Sequence, residues 1–254
     1  MLEGIETGYE EKFDFPRWNG RPKFPWLLAT VPRTGSTYVS HVLWASGCLG
    51  APLEYLNFDP NGPSGHAAAV PAEQNRIWSE VLARRTSPNG VFGLKAFPLL
   101  MEDLHRANPP LLTEVMKMMI PGPDQARVVQ LRRRDRQAHA VSYARALLSG
   151  VWRKEQEREG QMPPDFSREA FDVACRLIDS QEQAWTEMYA GLRVKPLILW
   201  YEDVLEKPDE AVVQVADYIG VTLVSGARVA VPAIERQSQS GTSLWFAALG
   251  GQGD

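Results

Sequence analysis

The sequence is poor in the features that assign a protein class outright. Its two cysteines, Cys48 and Cys175, stand too far apart for a CxxC or any other metal-ligand spacing. They read as free thiols in a reducing compartment rather than as a disulfide framework. No apolar run approaches the roughly 18 residues that a membrane span requires. The opening residues, Met1-Leu2-Glu3-Gly4-Ile5-Glu6, are acidic and lack the continuous apolar core of a signal peptide. The expected location is the cytoplasm. The formal net charge is −4, whereas a general nucleic-acid binder would be strongly basic. An anionic small molecule needs only local positive charge and stays open. His41, His66, His105 and His139 show no metal spacing, and there is no internal repeat or low-complexity tract.

What is present is an ordinary globular balance: 254 residues, 44% hydrophobic and 23% charged. That fits one large α/β domain, with two small domains as the lesser alternative. Residues 1–25 are acidic, then Pro-rich, and read as an arm over the surface. The run Trp26–Ala29 has no polar face to solvate and reads as a buried strand. A helix is expected from Tyr38 to Ser46, ended by Gly47, and another over Ala72–Arg84 with Ile77, Trp78, Val81 and Leu82 inward. Val91–Phe97 and Arg127–Leu131 read as further strands, separated by two short helical pieces within 99–119. Helices follow at 135–149 and 167–190, then a last strand over Lys195–Tyr201 and a helix opened by Pro208. Strands alternating with helices predict a parallel sheet covered on both faces, with ligands beyond the C-terminal strand ends.

The segment that joins the first strand to its helix, Pro32-Arg33-Thr34-Gly35-Ser36-Thr37, has the build of an anion cradle. Pro32 stops the strand, Gly35 permits a tight turn, and Ser36 and Thr37 are candidate caps. Converging N–H groups and the helix dipole favour a phosphate or sulfate there. The alternative is a plain strand–helix turn. The loop lacks the lysine and the GxxxxGK[ST] spacing of a nucleotide-triphosphate P-loop, which disfavours a Mg-ATP enzyme. A second cationic stretch, Arg132-Arg133-Arg134-Asp135, precedes a helix that carries His139 and Ser142. It reads either as a bidentate phosphate fork or as a solvated charge run. Glu54 lies in the apolar run Pro52–Leu56, where burial would raise its basicity and suit a general base; the plain reading is a surface acid. Lys95, near a neighbouring strand end, either assists a leaving group or fixes the loop. Trp152 and Trp245 are candidates for lining a pocket, and His66 for an acceptor contact.

From about residue 26 to 246 these pieces resemble, in order, the bacterial trehalose 2-sulfotransferase-like family. The matching segments are Arg33–Thr37, Pro52 with Glu54-Tyr55, Phe92–Lys95, Arg133–Ser142 with Arg145 and Val151–Arg153, and Glu235-Arg236-Gln237 with Trp245. The resemblance implies a P-loop NTPase-like three-layer α/β fold in a single domain over 1–254, with 1–25 as an arm and 26–246 as the core. It implies a sulfotransferase using 3'-phosphoadenosine 5'-phosphosulfate and no metal. Arg33, Thr34, Gly35, Ser36 and Thr37 would hold the 5'-phosphosulfate, Arg133 and Ser142 the 3'-phosphate, and Glu54 would be the base. Lys95 and Arg33 complete the expected catalytic set. The implied acceptor is a hydroxyl of a small molecule, a carbohydrate or glycolipid, and the implied assembly is a homodimer. Ala138 and His139 depart from relatives with serine and glutamine there, which leaves open whether Arg133 or Arg134 is the main fork. Trehalose is not carried over, because 57–87 and 153–166 show no match. The competing functions are a P-loop kinase-like phosphotransferase and a non-catalytic nucleotide-binding protein.

Overall fold

The computed structural model describes residues 6–60, 62, 67–157, 162–234 and 241–250. Four apolar runs form strands: β1 (Phe24–Ala29), β2 (Val91–Ala96), β3 (Val128–Arg132) and β4 (Leu197–Trp200). They make one parallel sheet in the order β2-β1-β3-β4. In its register Leu28 lies beside Lys95 on one side and Val129 on the other. The outer edge of β2 gains a single parallel bridge, Leu53 to Leu94.

Alternation along each strand divides the apolar side chains between two cores. Leu27, Ala29, Phe92, Leu94, Ala96 and Val128 enter one core. It also holds Trp78 and Val81 of α2 (Pro71–Arg85), Val115 of α4 (Pro109–Met119), Val141 of α5 (Arg136–Ser149) and Trp185 of α6 (Arg168–Leu192). Trp26, Leu28, Val91, Val129, Leu131 and Leu199 enter the other. Val39 and Leu43 of α1 (Ser36–Ala45), Val204 of α7 (Tyr201–Glu206) and Val215 of α8 (Pro208–Ile219) meet them there. The result is the expected three layers, helices on both faces of a parallel sheet. α2, α3 (Pro98–Ala107), α4 and α8 open on proline, whose fixed φ and missing N–H suit a helix start.

Several local expectations change. Gly35 itself is the N-cap of α1, so Ser36 and Thr37 lie inside its first turn instead of capping it. The last strand stops at Trp200, so Tyr201 opens the short helix α7 instead of ending that strand, and α6 runs two residues past the expected end. A final helix, α9 (Thr242–Gly250), buries Trp245, whose indole donates to the Pro164 carbonyl at 3.1 Å. The arm is more than a surface strap: Tyr9 and Phe15 join the first core. The buried Arg85 grips it, donating to the carbonyls of Gly8 and Tyr9, each at 2.8 Å, and pairing with Asp14 at 3.0 Å. No helix among the described residues is long and apolar enough to cross a membrane.

Candidate active site

The loop after β1 is held by its carbonyls. The Trp185 indole donates to the Thr30 carbonyl at 2.8 Å, and His139 Nε2 to that of Pro32 at 2.8 Å. Arg133 Nη1 donates to the Arg33 carbonyl at 3.3 Å. The Thr34 hydroxyl is spent inside the loop, donating to the Val31 carbonyl at 2.8 Å beside the Thr30 hydroxyl at 2.6 Å. Two residues take left-handed backbone, Arg33 at φ 69 and Gly35 at φ 86. For Gly35 no other residue fits, because a Cβ there would lie 2.1 Å from the Tyr201 ring. Arg33 has no such exemption, and local strain of this kind gathers at functional loops. With glycine as N-cap, no side chain caps α1. Its first-turn N–H groups are therefore left without a side-chain cap, the arrangement that suits an anion.

Around this loop lies a cationic rim. Arg33 Nε donates to the Ser142 hydroxyl at 3.1 Å, and its Nη1 to the Trp152 carbonyl. The two sequence-predicted anion segments thus meet at one guanidinium. Arg133 reaches across the Tyr201 ring, 5.4 Å from its centroid. Burial, with the charges of Arg133 and Arg145 close by and Glu157 opposing, brings Arg33 down to about 10. A guanidinium so affected sits where added negative charge is favourable.

The three consecutive arginines do not act as one fork. Arg132 ends β3 and pairs with Glu182 at 2.9 Å. Arg134 pairs with Asp203, with Nη2 to Oδ2 at 2.7 Å, and lies over Trp200. Side chains leaving a strand end alternate in direction, and Arg133 is the member of the run that turns toward the loop.

Glu54 and Lys95 meet beside the first turn of α1. Lys95 lies on the sheet face toward that helix, fully buried, with Nζ 2.8 Å from Glu54 Oε1 and 3.4 Å from the Thr37 hydroxyl. Burial lowers the Lys95 ammonium from its usual range, and the Glu54 charge works against that. The neighbour of the Glu54 carboxylate is therefore a cation held against the helix start, not the apolar wall that its sequence context implied. A carboxylate thus lies one side chain from the start of α1.

Three further residues shape this wall. The Tyr9 hydroxyl accepts the Glu54 backbone N–H at 2.8 Å. Arg153 donates to the Thr7 carbonyl at 3.4 Å. His41, one turn past Thr37, faces the Pro232 carbonyl through Nδ1 at 3.1 Å. Burial is the main cause that brings His41 down to about 4. Tyr9 escaped sequence reasoning because it lies in a stretch without periodicity. His139, Trp185 and Tyr201 escaped because nothing local reveals that their partners are loop backbone. His66 and the Glu235-Arg236-Gln237 segment lie outside the described residues.

The sequence profile described as Stf0 sulphotransferase matches residues 25–248. Two relatives are trehalose 2-sulfotransferases, from Mycolicibacterium smegmatis and Mycobacterium tuberculosis. Each is 24% identical, over 87% of this chain and 92% of its own length. Among solved structures, the sulfotransferase domain from the Synechococcus PCC 7002 olefin synthase aligns at a TM-score of 0.46 and 15% identity. That alignment covers 84% of this chain and 79% of that one.

Proposed function

The chain belongs to the Stf0 sulphotransferase family and is a sulfotransferase; from that premise we propose a donor, an acceptor class and a base. The donor is 3'-phosphoadenosine 5'-phosphosulfate, and the acceptor is a hydroxyl of a small molecule of the carbohydrate or glycolipid class. The observation that carries the reading is the buried Lys95 between the Glu54 carboxylate and Thr37 on the first turn of α1.

In this reading Glu54 takes the acceptor proton as the acceptor oxygen bonds to sulfur and the sulfur–oxygen bond to the 5'-phosphate breaks. Arg33, Lys95 and the N–H groups at the start of α1 meet the charge that gathers on the departing phosphate. Gly35, Ser36 and Thr37 offer those N–H groups, and Thr34 keeps the loop in shape from within. Arg133, with Ser142 beside Arg33, takes the 3'-phosphate by charge-assisted hydrogen bonds. A transferred sulfuryl group carries less charge than a phosphoryl group, so the positive side chains of the site suffice for it. The carbohydrate class rests on the two relatives, whose names give trehalose as their acceptor.

The test is turnover. The protein is mixed with the sulfated donor and a panel of mono- and disaccharides and glycolipids, and release of adenosine 3',5'-bisphosphate is followed. Release that depends on one acceptor, with sulfate found on that acceptor, supports the reading. No release with any hydroxyl compound, together with thermal stabilisation by Mg-ATP and none by the bisphosphate, overturns it. Light scattering on the same sample checks the homodimer that the family resemblance implies.

A further inference from the structure

We propose that the N-terminal arm is a working part of this site and that Tyr9 is a positioning residue for Glu54. The inference rests on Glu54 being the base. Its own observations are independent of that role and come from how the arm is built and where it ends.

Glu54 stands on a segment that barely belongs to the sheet. The Leu53 carbonyl accepts the Lys95 N–H at 3.0 Å, and Leu53 forms a single bridge with Leu94. On the arm side, the next N–H along, that of Glu54, donates to the Tyr9 hydroxyl at 2.8 Å. Leu53 and Tyr55, on either side of Glu54, are both fully buried, so water has poor access to this N–H if its partner is removed. Lys95 thus meets the carboxylate of Glu54, and Tyr9 meets its backbone.

The arm is constructed to deliver that hydroxyl. Glu10 closes a tight turn over residues 7–10, its carboxylate accepting the N–H groups of Thr7 and Gly8, each at 2.8 Å. Gly8 takes φ 92, and a Cβ on it would lie 3.1 Å from the Trp44 ring. Arg85, anchored in α2, holds the carbonyls on both sides of the Tyr9 N–H. The Tyr9 ring then packs edge-on against Tyr55 at 5.9 Å, which aims its hydroxyl at the residue just before. Arg153, on the same wall, also holds the arm by donating to the Thr7 carbonyl at 3.4 Å.

The test uses Tyr9→Phe, which keeps the ring and its contact with Tyr55 but deletes the acceptor for the Glu54 N–H. Binding of adenosine 3',5'-bisphosphate should be unchanged, since the anion loop is untouched, while kcat falls roughly tenfold or more. The loss should vanish in the Glu54→Gln background, with the double variant no slower than Glu54→Gln alone. A stability defect would instead lower both backgrounds and bisphosphate binding alike. If Tyr9→Phe fails to fold, Glu10→Gln loosens the same turn and should give the same pattern at smaller amplitude. An impaired Glu54→Gln beside an unimpaired Tyr9→Phe, or beside losses that multiply, overturns the positioning role alone. Full activity in Glu54→Gln overturns the base assignment, and the inference falls with it.

Discussion

The Tyr201 ring occupies the space that a side chain on Gly35 would need, with Cε2 2.1 Å from an ideal Cβ. Gly35 is also left-handed, at φ 86. Gly35→Ala should therefore push Tyr201 away from Arg133 and strain the cap of α1. The expected outcome is a loss of about 2 kcal/mol or more of stability and weaker adenosine 3',5'-bisphosphate binding. Thermal unfolding and titration check both. Adding Tyr201→Ala should recover part of the stability but not the binding.

Glu54→Gln tests the proton acceptor. Turnover should fall by roughly 10²–10⁴ with bisphosphate binding intact. Lys95→Met leaves the Glu54 carboxylate facing a buried apolar group and should lower the melting temperature. Restoring neutrality with Glu54→Gln in the same protein should raise it again, although activity stays lost. Full turnover in Glu54→Gln sinks the base assignment.

The arginine run divides cleanly between partners, and binding should divide with it. Arg133→Ala should weaken the 3',5'-bisphosphate roughly 10- to 100-fold, the loss expected when a charge-assisted contact to phosphate is removed. An analogue without the 3'-phosphate should lose much less. Arg134→Ala breaks an exposed pair with Asp203 and should change neither affinity appreciably. Equal losses for both nucleotides in Arg133→Ala would contradict the assignment.

Acid should destabilise the fold through two buried imidazoles. Burial is the main cause in each, with Arg133 and Arg136 adding to it at His139 and Lys95 and Arg153 at His41. Together these bring both rings to about 4, against about 6.5 in an unfolded chain. Between those values the unfolded chain binds more protons, so stability is full above pH 6.5 and falls as pH drops toward 4. Each ring accounts for roughly 3 kcal/mol at most. His139→Gln keeps an N–H for the Pro32 carbonyl but cannot titrate. Its stability should fall less steeply over this interval in pH-dependent urea unfolding.

Much of this was legible in the residues themselves, because apolar runs and prolines mark the strands and helix starts without help from tertiary context. Gly35 was legible as a turn, but not as the seat of an aromatic ring 166 positions away in the chain. Lys95 carried its own signal: a lysine inside Phe92–Ala96 has to find a counter-charge once buried. Glu54 was within reach as that partner, yet spacing alone does not pair a strand with an isolated bridge. The arginine run misled because composition counts three charges where strand alternation sends them to different neighbours. Tyr9 was illegible, since its value lies in a single contact made by an arm with no periodic pattern.

Glu54 hangs at the rim of the sheet on one bridge, and what places its carboxylate comes from the arm and from β2. Two separate parts of the chain, one ahead of β1 and one within β2, thus share the placing of a single carboxylate.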